Sequence, residues 1–159
     1  MKPKGRQQGF SLLELLIVVA IILIVASIAI PRFLQARAAA SQANAAATMK
    51  SISTALVMYQ TNWNTFPAAI TALGGICPPA PIVTAACTLD DTISKDVAAG
   101  TFNNYVWVYS QTGTGSGFTL TAAPAPGNQA IRSYFLDQNG TTKYSDSGAA
   151  TATSAALGN

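Results

Sequence analysis

One apolar run near the start of the chain constrains its fold more than any other feature. Phe10 to Ile30 is 21 residues long, and its polar residues are Ser11, Glu14 and Ser27. As an α-helix this run is about 32 Å long, at about 1.5 Å per residue, which matches the ~30 Å hydrocarbon core of a bilayer. A carboxylate costs on the order of 3 kcal/mol near the bilayer centre, so the presence of Glu14 requires an explanation.

The side-chain inventory argues against two classes of function. The net charge is +3, but three of the nine basic residues lie in residues 1–9, so six basic and six acidic residues remain beyond them. A neutral body does not attract a phosphate backbone by its overall field, and we expect no direct nucleic-acid site. The chain has no His and two Cys. We therefore expect no catalytic residue, no cofactor and no metal.

The apolar run has three interpretations. The first is a secretory signal cut at Ala36-Arg37-Ala38, although the apolar region of such a signal usually has about 7–15 residues. The second is an uncleaved single-pass anchor with residues 1–9 in the cytoplasm by the positive-inside rule, which leaves Glu14 unexplained. In the third, the chain is cut between Gly9 and Phe10, and the apolar run is kept.

The third interpretation rests on a resemblance over residues 6–31. Gly9, Phe10, Ser11 and Glu14 come at consecutive diagnostic positions, and Pro31 follows the apolar run. This N-terminus resembles that of type IV prepilins and related pseudopilins. The resemblance implies that a prepilin peptidase cuts after Gly9 and that Phe10 becomes the N-methylated new N-terminus. It also implies a helical homo-oligomeric filament, assembled by an ATPase and a platform protein.

The position of Glu14 agrees with that chemistry. A cut after Gly9 gives Phe10 an ammonium four residues before Glu14, on the same helix face. In a filament core we expect Glu14 to pair with Phe10 of a neighbouring copy, which fixes register more than it adds stability. The alternative is that Glu14 lies at the headgroups, about 6 Å along the helix axis from the new chain start.

Helical signals continue beyond the apolar run. Pro31 lacks a backbone donor and predicts a kink or a locally unwound segment at residues 27–31, or it marks the end of the membrane helix. The Ala-rich residues 36–47 permit close approach of neighbouring helices. We expect this helix to end near Asn62–Asn64. Steps of four and three predict an amphipathic helix lying on a sheet, through a stripe of Ala45, Met49, Ile52, Leu56, Tyr59 and Trp63.

Beyond this helix we expect a loop and then strands. Thr65 to Thr101 shows no clear period, and we expect at most short helical turns there, at Pro67–Leu73. In an oxidising compartment Cys77 and Cys87 are expected to form a disulfide worth about 2–3 kcal/mol; two free thiols are the alternative. Alternating aromatic and β-branched residues then predict about four antiparallel strands, at Asn103–Gln111, Phe118–Ala122, Ile131–Asp137 and Thr141–Ser145.

Two groups of acidic residues have a metal-binding and an ordinary interpretation. Asp137, Asn139 and Asp146 are calcium ligands or turn residues around the Asn139-Gly140 hairpin. The acidic residues in 90–96 are metal ligands, a solvated loop or the N-cap of a short helix. We favour the ordinary interpretation in both cases. The hairpin sequence RSYFLDQNGTTKY also resembles one near the C-terminus of many pilin-like proteins.

We therefore expect an α+β, type IV pilin-like fold, with a long N-terminal helix packed on an antiparallel meander. Its expected parts are a cleaved leader (1–9), a transmembrane and filament-core helix (10–31), an amphipathic helix (32–63), a β head with a long loop (64–146) and a flexible tail (147–159).

The resemblance implies a structural subunit of a type IV pilus serving adhesion, motility or DNA uptake. Such a subunit is first held in the inner membrane, with its head in the periplasm, and then becomes extracellular. The alternatives are a pseudopilin of a type II secretion system and a membrane-tethered periplasmic binding domain. Some major pseudopilins carry a calcium-binding acidic loop, and the lack of a clear one in the sequence, together with the Cys pair, favours the pilus.

Overall fold

The computed structural model describes residues 10–75, 81–128 and 130–157. The chain divides between Ala36 and Arg37 into two units. A helix of 52 residues, α1 (Leu12–Trp63), forms the first unit and continues into the second. The second unit also contains a short helix, α2 (Asp91–Ala98), and 3-10 helices at Ile70–Leu73 and Gly113–Gly115.

A six-stranded antiparallel sheet completes the second unit. Its strands lie in sequence order, so the sheet is a simple meander. This confirms the predicted α+β layout, and the four expected strands correspond to β2 to β5. The two outer strands, each of two residues, were not predicted. The strands are β1 (Thr101–Phe102), β2 (Tyr105–Thr112), β3 (Gly117–Pro124), β4 (Ser133–Asp137), β5 (Lys143–Ser145) and β6 (Ala155–Ala156).

The core lies between the C-terminal part of α1 and one face of the sheet. The predicted α1 stripe is buried from Ala45 to Tyr59, and Trp63 is half-buried with its ring 4.6 Å from that of Tyr59. Burial alternates along β2 as a period of two requires, with Tyr105 and Trp107 inside and Val108 exposed. The apolar residues that the sheet adds to the core are Tyr105, Trp107, Phe118, Leu120, Ala122, Tyr134 and Leu136.

Polar contacts tie α1 to the sheet beside this core. The Tyr134 hydroxyl donates to the Gln42 carbonyl at 2.9 Å, and the Ser41 hydroxyl donates to the Asn103 carbonyl at 3.2 Å. Because Tyr134 is on β4, the first bond joins α1 to the middle of the meander. The first bond also satisfies a phenol hydroxyl that would otherwise be buried without a partner, and the Ser41 hydroxyl additionally accepts from the Asn128 side-chain nitrogen at 3.2 Å.

The end of α1 agrees with the prediction. The helix ends at Trp63, and Asn64 follows in the left-handed region with φ 53°. The Asn64 amide donates to the Gln60 carbonyl at 2.7 Å. Asparagine tolerates this conformation better than most residues, which is why it commonly ends helices.

The segment predicted as loop contains more structure than expected. The 3-10 helix at Ile70–Leu73 falls within the predicted helical turn. By contrast, α2 was expected only as one interpretation of its acidic residues, and that interpretation is confirmed. The Asp90 carboxylate accepts from the amides of Thr92 at 2.9 Å and Ile93 at 3.3 Å, as an N-cap does.

Two further expectations differ from the structure. Of the kink or locally unwound segment expected at residues 27–31, the unwound segment does not form, since α1 is helical through Pro31. The region expected to be a flexible tail supplies β6, which pairs with β5 through Lys143 and Tyr144. The Leu157 amide also donates to the Thr142 carbonyl at 2.8 Å. Backbone pairing therefore orders a segment whose side chains gave no strand signal.

Candidate assembly site on the long helix

The N-terminal unit presents an apolar surface to its surroundings. Phe10 is 87% exposed, Leu12 80% and Leu23 68%. An 18-residue window of α1 reaches a mean hydropathy of 3.1 with none of it buried, so the helix is long and apolar enough to cross a membrane. A patch of this extent on one helix marks a surface that contacts lipid or other protein chains.

The first turn of α1 is closed by a reciprocal capping arrangement. The Glu14 Oε2 atom accepts from the Ser11 amide at 3.0 Å, and the Ser11 hydroxyl accepts from the Leu13 amide at 3.3 Å. Ser11 stands at the N-cap and Glu14 at the third helical position, which is the spacing of a capping box. Two amides that the helix itself leaves without acceptors are thereby satisfied.

Glu14 therefore has a hydrogen-bond partner, the Ser11 amide, that was not predicted from the sequence. The Ser-x-x-Glu spacing was available as a signal of a cap, but Glu14 was expected either to pair with an ammonium or to lie at the headgroups. Its carboxylate also lies at the N-terminal end of the helix, where the helix dipole favours a negative group. Within the described part of the chain, the second carboxylate oxygen, Oε1, accepts no hydrogen bond.

The other polar residue of the run is satisfied internally. The Ser27 hydroxyl donates to the Ile24 carbonyl at 2.7 Å, within the same helix. Its side chain therefore does not need a partner from outside. The backbone carbonyl of Ser27 has no amide four residues later, because that position is Pro31.

Two predicted site residues lie outside the described ranges. Gly9 precedes them, so the bond proposed for cleavage is not described, whereas Phe10 is described and exposed. Cys77 also lies outside them, and the Cys77–Cys87 disulfide stays a prediction. Cys87 itself is described, with a left-handed backbone at φ 55°.

The acidic groups in the head have turn and ion-pair roles. The Asp137 carboxylate accepts from the Asn139 amide at 2.9 Å and from its side-chain nitrogen at 3.0 Å. The Oδ1 atom of Asp146 accepts from Arg132 Nε at 2.7 Å, and its Oδ2 atom accepts from Arg132 Nη2 at 3.1 Å. Over the described ranges, no group of three or more His, Cys, Asp or Glu is placed to hold a metal.

Two phenols of the head, Tyr105 and the half-buried Tyr109, act as structural hydrogen-bond donors. Burial raises the pKa of Tyr105 and Tyr109, and their hydroxyls donate to the carbonyls of Arg132 at 2.8 Å and Pro67 at 2.6 Å. Because a raised pKa keeps a phenol protonated, both remain hydrogen-bond donors throughout the physiological range. Neither is suited to act as a general base.

Comparison with known proteins agrees with the features of the first helix. Residues 4–30 match the profile of the family described as the prokaryotic N-terminal methylation motif. Over 50 residues the chain is 50% identical to the type IV major pilin protein PilA of Myxococcus xanthus (strain DK1622). That stretch is 31% of this chain and 23% of the relative, so less than a quarter of the relative is matched. No solved structure matches the chain.

Proposed function

We propose that this chain is a structural subunit of a type IV pilus. Its N-terminus carries the methylation motif of type IV prepilins, as its residues predicted. The observation that carries the proposal is the exposed apolar surface of Phe10 to Ile30, with its charge confined to the first turn. The head supplies hydrogen-bonded turns and a packed core, which suits a structural role and not a catalytic one.

The proposed first state is storage in the inner membrane. The basic residues in 1–9 keep that end in the cytoplasm, and the head then lies in the periplasm. Glu14 sits in the first turn of α1, where it can remain near the headgroups while the apolar residues after it lie in lipid. Its bond to Ser11 reduces the number of unpaired polar groups at that end.

The second state is the filament. Outside the membrane, the apolar half of α1 is driven to pack against copies of itself, since burying such a surface is favourable by roughly 25 cal/mol per Å². A repeated heterologous contact that does not close on itself produces a helical filament. A prepilin peptidase, a platform protein and an assembly ATPase are the partners this scheme requires.

Glu14 then acquires a second role. Cleavage after Gly9 creates an ammonium on Phe10, and the Oε1 atom of Glu14 is available to it while Oε2 remains bonded to Ser11. We propose that the ammonium comes from a neighbouring copy. A buried pair of this kind contributes little net stability, but it selects one register among the many that an apolar helix allows.

Mass spectrometry of the mature protein tests the proposal. The expected N-terminus is Phe10 carrying one methyl group, in material sheared from the cell surface. A chain that still begins at Met1, or one that begins near Ala39, would overturn it. Electron microscopy of the same material should show filaments that contain this chain.

The same helix also suits a pseudopilin of a type II secretion system. In the described head, Asp137 and Asp146 are engaged by Asn139 and Arg132 and do not form a calcium loop. This favours the pilus. Filaments on the cell surface of the native strain support the pilus, and a chain confined to the periplasm supports the pseudopilin.

A further inference from the structure

A groove lies on the side of the head where α1 meets the turn between β4 and β5. Its volume is about 630 Å³, and its walls include Ala46, Ala47 and Ser53 of α1, residues 140–142 of the turn, and Leu157. Most of these side chains are small, so another backbone element can approach closely. Among the described residues that line the groove, Lys50 is the charged one.

Within the described ranges, the ammonium of Lys50 has no ion-pair partner. The described ion pairs are Lys95 with Asp91 and Arg132 with Asp146, and neither involves Lys50. Lys50 is exposed, and its backbone carbonyl accepts a hydrogen bond from the Thr54 hydroxyl at 3.1 Å. An exposed lysine in a groove of small residues is suited to receive a carboxylate.

Among the aspartates in the described part of the head, one likewise has no ion-pair or hydrogen-bond partner. Asp90 caps α2, Asp91 and Asp146 form ion pairs, and Asp137 is bonded to Asn139. Asp96 on α2 remains, and its carboxylate makes no hydrogen bond or ion pair in the described parts of the chain. The residue is partly exposed.

These two groups lie at opposite edges of one sheet. Helix α2 packs on the 3-10 helix at Ile70–Leu73 and on β1 and β2, whereas the groove adjoins the turn between β4 and β5. The sheet order runs from β1 to β6, so the two edges face away from each other. The edge that carries Asp96 in one copy is therefore complementary in charge to the opposite edge, which carries Lys50, in another copy.

We propose that the Lys50 groove of one subunit receives the α2 edge of a second copy of this chain, with Asp96 of that copy paired to Lys50. This contact rests on the proposed function, because it places the heads side by side in the filament. It uses two different surfaces, so it is heterologous, and it propagates as an open filament when the rotation between copies does not close a ring. Charge pairing then selects which edge of the next head is accepted.

Charge reversal tests the contact in the full-length chain expressed in its own cell. We expect Lys50→Glu and Asp96→Lys each to lower filament yield at least about tenfold, since like charges brought together cost more than 1.4 kcal/mol. The double variant, which restores opposite charges, should recover most of the yield. Gln60→Glu is the control, since it adds a negative charge at an exposed α1 position outside the groove.

A zero-length carbodiimide, which couples an amine directly to a touching carboxylate, provides an independent readout. In sheared native filaments we expect a dimer band whose peptides join Lys50 to Asp96. Immunoblots of the membrane fraction show whether each variant accumulates normally. The contact is wrong, and the proposed function is unaffected, if the native chain forms filaments but the double variant does not recover the yield. The same holds if Lys50 is found coupled to an acid other than Asp96. A native chain that forms no filament would overturn the proposed function as well.

Discussion

The Glu14 carboxylate lies 3.0 Å from the Ser11 amide, so the acidic group of the apolar run is bonded to the first turn of its own helix. One oxygen accepts that bond, while the other is available to a cation. Capping and intersubunit pairing are therefore compatible roles for one side chain. They differ in what they demand of it, because capping needs an acceptor and pairing needs a charge.

We predict that Glu14→Ala leaves cleavage intact but sharply reduces filament yield. The substitution removes both the cap and the charge that sets register. Quantifying sheared filaments against the membrane pool, with mass spectrometry of the N-terminus, measures the two steps separately. Glu14→Gln is the matched variant, since an amide oxygen still caps but carries no charge. Its yield should be as low as that of Glu14→Ala; normal filaments from Glu14→Gln would refute the register role.

Pro31→Ala is expected to strengthen the middle of α1. It supplies an amide to the Ser27 carbonyl and removes a residue that is about 3 kcal/mol less favourable than alanine in a helix interior. Hydrogen exchange of the full chain in detergent should therefore slow in residues 27–32. Ile30→Ala is the control, because it leaves the hydrogen-bond ladder unchanged. Unaltered exchange in the Pro31→Ala variant would mean that neighbouring residues already compensate for the proline.

Tyr134→Phe is expected to lower the free energy of unfolding by about 1 kcal/mol, the usual net value of one hydrogen bond. The lost bond joins the Tyr134 hydroxyl to the Gln42 carbonyl at 2.9 Å, while the ring remains in the core. Urea unfolding of the detergent-solubilised chain, followed by tryptophan fluorescence, measures the change. Tyr144→Phe should have little effect, since the contact of its ring with Arg132 is kept. Equal effects in both variants would argue against this role of the Gln42 bond.

Stability of the head should fall as the pH decreases through the range in which aspartates titrate. The side-chain hydrogen bond from Arg132 lowers the pKa of Asp146, and Lys95 lowers the pKa of Asp91 in the same way. The folded pKa of each is below its unfolded value of about 3.9, so the contribution is present above that pH and is lost as the pH falls through the folded pKa. Unfolding midpoints across the acid range measure it.

For this pH dependence, Asp146→Asn and Arg132→Met are paired variants. Each removes one member of the ion pair, so both should flatten the acid side of the stability profile. The effect is expected to be small because both side chains are partly exposed and water screens the pair. A profile as steep as that of the native chain in both variants would show that other groups control it.

Sequence periodicity was enough to predict the elements whose burial repeats regularly. The α1 stripe from Ala45 to Trp63 and the alternation in β2 follow directly from periods of 3.6 and 2. By contrast, α2 has only Ile93 and Val97 as large apolar residues, which is too few to reveal a period. Its signal was the cap at Asp90, and the sequence alone did not separate a cap from a solvated loop.

Tertiary pairing explains the remaining differences. β6 consists of two alanines and is held by the neighbouring β5, so its strand character is not present in its own residues. The groove at Lys50 likewise combines positions about 90 residues apart in the sequence, from α1 and the turn at residues 140–142. The capping box at Ser11 is different, because its local spacing was fully visible in the sequence.

The attachment of β6 has a consequence for engineering. Its alanines are exposed, and the strand is held through backbone atoms. Side-chain identity at positions 155 and 156 is therefore largely free, provided that the residues tolerate an extended backbone. A short reporter peptide built from these positions would be displayed once on each head, and a filament would carry it as a regularly spaced array.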